Sequence, residues 1–209
     1  FVKKLAIILN KRKLYKKNKS STVIKIIKNV KKNGDKAVIK YEKKFSKIKT
    51  KKNSLKFSEK EIKKISKKIN KNLKKSIDIS FKRIKNFHEK QKSASFKFKD
   101  NYNNELSYTY SPLDKVGVYV PGGTASYPST VLMNCIPALI AGVKEIYMTT
   151  PTIGKKYNSA VLYAAKKCKV KEIYKAGGVQ AIAAFAYGTK LISKVDKIVG
   201  PGNKYVALA

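Results

Sequence analysis

The second half of the chain alternates short apolar runs with glycine-rich turns and helix-like segments. Apolar or aromatic runs at Val116–Val120, Glu172–Lys175 and Val195–Val199 each lead into a turn that contains two glycines. A fourth run, Glu145–Thr149, ends at Pro151. Short runs that alternate with helices are typical of parallel strands, which are buried on both faces. The pattern predicts an α/β fold, an incomplete Rossmann-like doubly wound parallel sheet preceded by a mainly helical N-terminal region.

Helices are predicted between and after these strands. Apolar spacing and closing glycines place them at Val131–Ala141, Ser159–Cys168 and Ala181–Tyr187, with a short final helix after Asn203. Together with the strands, these helices make four β-α units.

The N-terminal region carries helix signals of its own. A helix begins near Ser21, and Asp35 is in position to cap the helix that follows. Ser58 and Glu61 have the spacing of a capping box. Behind them, apolar residues recur every three or four positions as far as Phe87, which predicts one long helix or two in line.

A domain boundary is predicted where the helical region ends. Residues 92–110 alternate polar and apolar positions and suggest a short hairpin, which leads into the turn Ser111–Asp114. We therefore divide the chain into an N-terminal helical region with a hairpin, 1–111, and a Rossmann-like domain, 112–209, that stops before the fold is complete.

The glycine turns are the candidate functional feature. Parallel strands end at a common edge, so the turns at Pro121–Gly123, Ala176–Gln180 and Gly200–Asn203 are expected to gather there. Glycine allows backbone N–H groups to approach a phosphate or sugar closely. None of these turns has GxGxxG spacing and no Walker-type loop is present, so each turn alone could equally be a tight strand-to-helix connection.

The net charge suggests a second class of function. The chain has 49 basic and 12 acidic residues, a formal charge of +37, which would suit a nucleic-acid partner. We rank that alternative second because only Arg12 and Arg83 are arginine and the lysines are spread along the chain. Abundant Lys, Asn, Ile, Tyr and Phe without Trp is also what AT-rich codons would give.

Cysteine use and hydropathy indicate a cytoplasmic protein. Cys135 and Cys168 fall on apolar faces of predicted helices, and we expect them to be buried free thiols. No apolar run reaches the roughly 18 residues of a membrane helix, so no membrane association is expected. The chain begins at Phe1 and ends at Ala209 within a predicted helix, and we expect it to be a fragment.

Three long motifs carry a family resemblance. Pro112–Ala125, Tyr174–Ala184 and Val195–Asn203 closely resemble histidinol dehydrogenase, and 33–37 and 87–91 match it more weakly. The similarity runs from about Ser20 to the end, in the order of the first half of that family's chain.

The resemblance implies an activity and a set of partners. The family oxidises L-histidinol to L-histidine through the aldehyde, the last step of histidine biosynthesis, and passes two hydrides to two NAD molecules. It also implies a zinc ion and a homodimer. Matching the motifs residue by residue gives Tyr119, Gln180 and Asn203 as NAD contacts. A phenol and two carboxamides can serve ribose and phosphate groups without adding charge.

The same resemblance leaves this chain without catalytic or zinc-binding residues. The family's zinc ligands and its proton-removing Glu–His pair are expected beyond Ala209. His88, the one histidine of the sequence, has no nearby nucleophile or second ligand and is expected to be structural or superficial. A further alternative to a working enzyme is a degenerate, non-catalytic remnant of the dehydrogenase. The sequence also departs from the family pattern at Ser46, where the family usually has aspartate.

Simpler structural roles remain open for the three proposed NAD contacts. Tyr119 could be strand core, Gln180 a helix-start residue, and Asn203 a turn residue that bonds its own loop.

Overall fold

The computed structural model describes residues 21–46, 55–122, 127–152 and 157–209. Gly123, part of the first glycine turn, lies outside these ranges. The helices are α1 (21–33), α2 (Asp35–Ser46), α3 (Glu59–Ser66), α4 (Lys71–Glu89), α5 (Pro128–Ile140), α6 (Ser159–Lys167), α7 (Gly178–Tyr187) and α8 (Lys204–Ala207). The strands are β1 (Phe96–Lys99), β2 (Glu105–Tyr108), β3 (Lys115–Tyr119), β4 (Glu145–Thr149), β5 (Glu172–Tyr174) and β6 (Lys197–Val199).

Strands β3 to β6 form the parallel sheet that the sequence predicts, and their order is β5-β4-β3-β6. In register, Val116 of β3 lies opposite Ile146 of β4 on one side and Lys197 of β6 on the other. The chain therefore moves outward from β3 to β5 and then returns to β6 on the far side of β3. This reversal creates a switch point between the carboxyl ends of β3 and β6, where doubly wound folds bind ligands.

The sheet is buried on both faces by two separate cores. Side chains alternate along a strand, so Val118 of β3 faces one side and Tyr119 the other. Val118 belongs to the core that contains α5 and α6, together with Met148 of β4. Tyr119 belongs to the core beneath α7, together with Tyr147 of β4. Helices on opposite faces confirm the doubly wound arrangement.

The N-terminal helices extend both of these cores. Val23 of α1 and Val38 of α2 are buried in the core beneath α7, whereas Ile77 of α4 is buried in the core of α5 and α6. The segment that precedes α3 also covers the outer edge of β5, where the Phe57 amide donates to the Ile173 carbonyl at 2.9 Å. The boundary near residue 111 stays a prediction, and the region before it packs on both faces of the sheet.

The predicted N-terminal elements are present. Ser58 and Glu61 form the capping box, with Glu61 N–H donating to Ser58 Oγ at 3.2 Å and Ser58 N–H donating to Glu61 Oε2 at 2.8 Å. The apolar stretch behind them is two helices, because Asn70 accepts from the first-turn amides of α4 and starts a new helix. Strands β1 and β2 form the expected antiparallel hairpin.

Three local expectations are corrected by the structure. Asp35 does not act as the cap of α2; it is the helix's first residue, and its carboxylate accepts from Thr189 Oγ1 and from the Leu191 amide. Helix α7 begins at Gly178, three residues before the predicted start. Strand β6 begins at Lys197 and not at Val195, because the Val195 amide bonds the Phe185 carbonyl.

Gly117 tests the packing of α7 on the sheet. A Cβ added at this strand position would lie 2.8 Å from Phe185 Cδ2, so the ring occupies the space of a side chain. We expect Gly117→Ala to lower the free energy of unfolding by about 1–3 kcal/mol through overpacking, measured by urea denaturation. Adding Phe185→Leu should recover part of the loss. A neutral Gly117→Ala variant would contradict the packing argument.

The hydrogen bonds of the Asp78 carboxylate should make the stability of the fold depend on pH in acid. It accepts from Tyr163 Oη at 2.8 Å and pairs with Lys167 at 2.6 Å, and the Lys167 hydrogen bond lowers the Asp78 pKa below its ordinary 3.8. A lowered native pKa stabilises the fold above the unfolded pKa, and this contribution disappears as pH falls through the native value. Between about pH 6 and pH 3, the free energy of unfolding of the protein with Asp78 should therefore fall further than that of the Asp78→Asn variant.

The urea midpoint measured across that pH range provides the check. The matched control is Asp114→Asn, because Asp114 pairs with Lys144 but both side chains are mostly exposed. Solvent and salt screen such a pair, so its variant should change the acid profile less. Identical profiles for all three proteins would rule out a specific role for Asp78.

Candidate functional site

The turns at the carboxyl edge of the sheet pack directly against one another. A Cβ added at Gly122, after β3, would lie 2.5 Å from the Pro151 carbonyl oxygen, and one added at Gly177 would lie 2.5 Å from Pro151 Cβ. Pro151 follows β4, so three successive turns meet at this residue. Close packing of the turns is therefore sufficient reason for glycine at these two positions.

The fourth turn is fixed against β3 at the switch point. Gly200 has φ +124°, a region that residues with a side chain rarely adopt, and a Cβ there would collide with the Tyr119 carbonyl oxygen. The backbone of the Gly200–Asn203 turn consequently lies against the last residue of β3.

Tyr119 connects the end of β3 to the start of α7. Its hydroxyl oxygen accepts from the Gly178 amide at 3.2 Å, which leaves the hydroxyl proton uncommitted by this contact. Burial raises the pKa of Tyr119 above its ordinary value of 10.0, so the phenol is neutral at physiological pH. It can act as a hydrogen-bond donor as well as an acceptor.

Gln180 lies in the first turn of α7 and is 2% exposed. Its Nε2 donates to Glu42 Oε1 at 2.7 Å. Its Oε1 is buried and has no hydrogen-bond partner among the described residues. A Cβ added at Gly178 would lie 3.2 Å from this oxygen. Since buried polar atoms are nearly always paired, Oε1 is an acceptor that needs a donor.

Glu42 is a site residue that the sequence did not reveal. It comes from α2, is 1% exposed, and accepts from the Gly177 amide at 2.9 Å as well as from Gln180. Its Oε2 accepts from Ser46 Oγ at 2.7 Å. The sequence feature that could have indicated Glu42 is its position one helical turn after Val38, which puts a carboxylate on the apolar face of α2.

Asn203 is placed differently from the other two expected contacts. It is exposed, and its Oδ1 accepts from the Tyr205 amide at 3.0 Å and the Val206 amide at 3.2 Å, so it caps α8. The structure thus brings Tyr119 and Gln180 together at Gly178. It leaves the Asn203 side chain on the neighbouring turn, where its amide group is not used by the cap.

Comparison with known proteins identifies the family. The sequence model of the family described as histidinol dehydrogenase matches residues 9–209. This chain belongs to the histidinol dehydrogenase family. A histidinol dehydrogenase of Pelagibacter ubique is 54% identical over 209 residues, which is 100% of this chain and 48% of the relative. One from Caldanaerobacter subterraneus is 47% identical over 97% of this chain and 47% of its own length.

A solved structure agrees with the sequence comparison. The crystal structure of histidinol dehydrogenase from Elizabethkingia anophelis superposes with a TM-score of 0.85 at 38% identity, over 90% of this chain and 43% of that one. The chain thus spans about half the length of the histidinol dehydrogenases it matches. The relatives are oxidoreductases by name, and the fold expected from the motifs is confirmed.

The other reactive groups of this chain lie in other parts of the fold. Cys135 and Cys168 are buried free thiols, as expected. His88 Nδ1 lies 2.6 Å from Gln91 Oε1, at the rim of a cavity of about 880 Å³ beside α5 and β6.

Within the described ranges, no group of three or more His, Cys, Asp or Glu side chains could hold a metal ion. Nor is any described helix long and apolar enough to cross a bilayer.

Gly200 provides a test of the switch point. Because Gly200→Ala combines an unfavourable φ with a collision against Tyr119, we expect it to lower the free energy of unfolding by more than about 2 kcal/mol. Gly142→Ala is the control, since Gly142 also has positive φ, at +85°, but a Cβ there would meet Pro112 only at 3.5 Å. It should cost about 1 kcal/mol. Equal losses in urea denaturation would show that the Tyr119 contact is unimportant.

Proposed function

We propose that this chain forms the dinucleotide-binding part of a histidinol dehydrogenase, which oxidises L-histidinol to L-histidine through the aldehyde with NAD as acceptor. The observation that carries the proposal is the family match across residues 9–209. The parallel sheet supports it, because the two strands beside its switch point, β3 and β6, lie within the family motifs Pro112–Ala125 and Val195–Asn203.

The residues at this edge fit a nucleotide in their chemistry. Gln180 Oε1 is a buried acceptor without a donor among the described residues, Tyr119 has a neutral hydroxyl, and Asn203 has an amide group not used by its cap. Ribose hydroxyls can donate to Gln180 Oε1 and can accept from the Tyr119 hydroxyl and the Asn203 amide group. NAD would supply the hydride acceptor, while these three side chains would bind and orient it.

Burial limits how the nucleotide could reach these groups. Gln180 Oε1 is buried, so a nucleotide must displace the atoms that cover this oxygen before it can donate to it. The Glu42 carboxylate at the start of α7 would repel a phosphate placed there. We therefore expect Gln180 to contact a sugar or base and not the pyrophosphate.

The remaining parts of the proposal concern the whole enzyme. We propose L-histidinol as substrate, a homodimer and a cytoplasmic location, all supported by the family membership. Zinc belongs to the same proposal, but the described residues of this chain do not form a site for it.

The activity test uses the protein expressed from its complete gene. With L-histidinol and NAD, we expect the near-ultraviolet absorbance of NADH to rise until two NADH have formed for each histidinol. Absence of NADH formation with L-histidinol and zinc, in a folded protein, would contradict the proposed activity. Formation with a different amino alcohol alone would contradict the substrate and keep the reaction class.

Binding measurements test the three residues directly. Tyr119→Phe and Asn203→Ser should each raise the dissociation constant of NADH by about threefold to tenfold, the equivalent of one hydrogen bond. Serine keeps an oxygen that can cap α8, so the effect of Asn203→Ser isolates the amide donor. Tyr147→Phe is the matched control, because Tyr147 lies on the same face but donates to Glu145 at 2.6 Å. An effect of Tyr147→Phe equal to that of Tyr119→Phe would contradict the assignment.

A further inference from the structure

We propose that Glu42 is a positioning residue for the nucleotide site: it holds the Gln180 carboxamide in the orientation that presents Oε1 to a bound nucleotide. This rests on the proposed function, because it assumes that Gln180 contacts the nucleotide. Glu42 belongs to α2, outside the sheet and its turns, and is 138 positions from Gln180 in sequence.

The chemistry of the contact decides the orientation of the amide. A carboxylate only accepts hydrogen bonds, so the carboxamide must turn its NH₂ group towards Glu42. In the observed arrangement Glu42 Oε1 receives Gln180 Nε2 at 2.7 Å and the Gly177 amide at 2.9 Å. A flipped amide would set two acceptors against each other in a buried environment. The carbonyl oxygen must therefore point away from Glu42, where it is the unpartnered acceptor.

The carboxylate is itself held in place. Ser46, one turn further along α2, donates to Glu42 Oε2 at 2.7 Å, so both oxygens of Glu42 are engaged. Gly177 is the N-cap residue of α7, a ten-residue helix whose N-terminus favours a negative charge. Two fixed donors and a fixed helix end leave the Glu42–Gln180 pair little freedom, which is what a ligand-orienting amide needs.

Length and charge of the side chain at position 42 can be separated by substitution. Glu42→Gln keeps the reach and an acceptor oxygen but removes the charge. Glu42→Asp keeps the charge but is one methylene shorter, so it should lose contact with Gln180. We expect the NADH dissociation constant of the protein from its complete gene to stay within about threefold for Glu42→Gln and to rise about tenfold for Glu42→Asp.

Two further variants complete the experiment, with fluorescence titration of NADH as the readout and urea denaturation as the check of folding. Ser46→Ala removes one of the donors that hold the Glu42 carboxylate but leaves both Glu42 contacts with the start of α7, so it should weaken NADH binding less than Glu42→Asp does. Gln180→Met should weaken NADH binding, and Glu42→Asp should then add less than about twofold in the Gln180→Met background. A merely structural role of Glu42 would give the same loss in both backgrounds.

The outcomes separate this inference from the proposed function. If Gln180→Met leaves NADH binding unchanged, the assignment of Gln180 as a nucleotide contact fails. If Gln180→Met weakens binding but Glu42→Asp does not, or if the two losses add fully, the positioning role of Glu42 is overturned and the nucleotide site stands.

Discussion

The burial of strand β3 from Val116 to Tyr119 is the constraint on which the rest of the structure depends. It is paired on both sides, by β4 and β6, and covered on both faces, by α5 and α6 on one and α7 on the other. A strand in this position has no exposed face for a polar side chain, so its interior residues are valine, glycine and a tyrosine. Gly117 shows how tight the arrangement is, because the Phe185 ring fills its side-chain space.

The same constraint positions the candidate site. Since β3 is central, its carboxyl end lies beside the turns that follow β5 and β6, and Tyr119 contacts both of them. The first turn of α7 reaches Tyr119 through Gly178, and the turn after β6 reaches it through Gly200. The N-terminal helices are part of this construction, because α2 contributes the carboxylate that anchors both Gly177 and Gln180.

Acidic side chains are scarce in this chain, and several of them have defined structural roles. Glu61 both caps α3 and pairs with the buried Lys175 at 2.7 Å. Asp78 joins α4 to α6 through Tyr163 and Lys167. Asp35 and Glu42 bind parts of the α7 region more than 130 residues away. In a chain of formal charge +37, few carboxylates are available, so the loss of any one of these contacts would be poorly compensated.

The sequence by itself determined the features that depend on local chemistry: the strand positions, the capping box at Ser58, the hairpin, and the parallel direction of the strands in four β-α units. Hydrophobic period and turn residues encode these within a few positions. Family motifs also named Tyr119, Gln180 and Asn203. The sequence also offered the alternative that Asn203 bonds its own loop, which is the contact it makes as the cap of α8. Only the tertiary structure decided that Asp35 bonds the chain after α7 and that Gln180 is bound by Glu42. Such contacts join residues far apart in the chain, and no local pattern specifies which buried donor a distant carboxylate will meet.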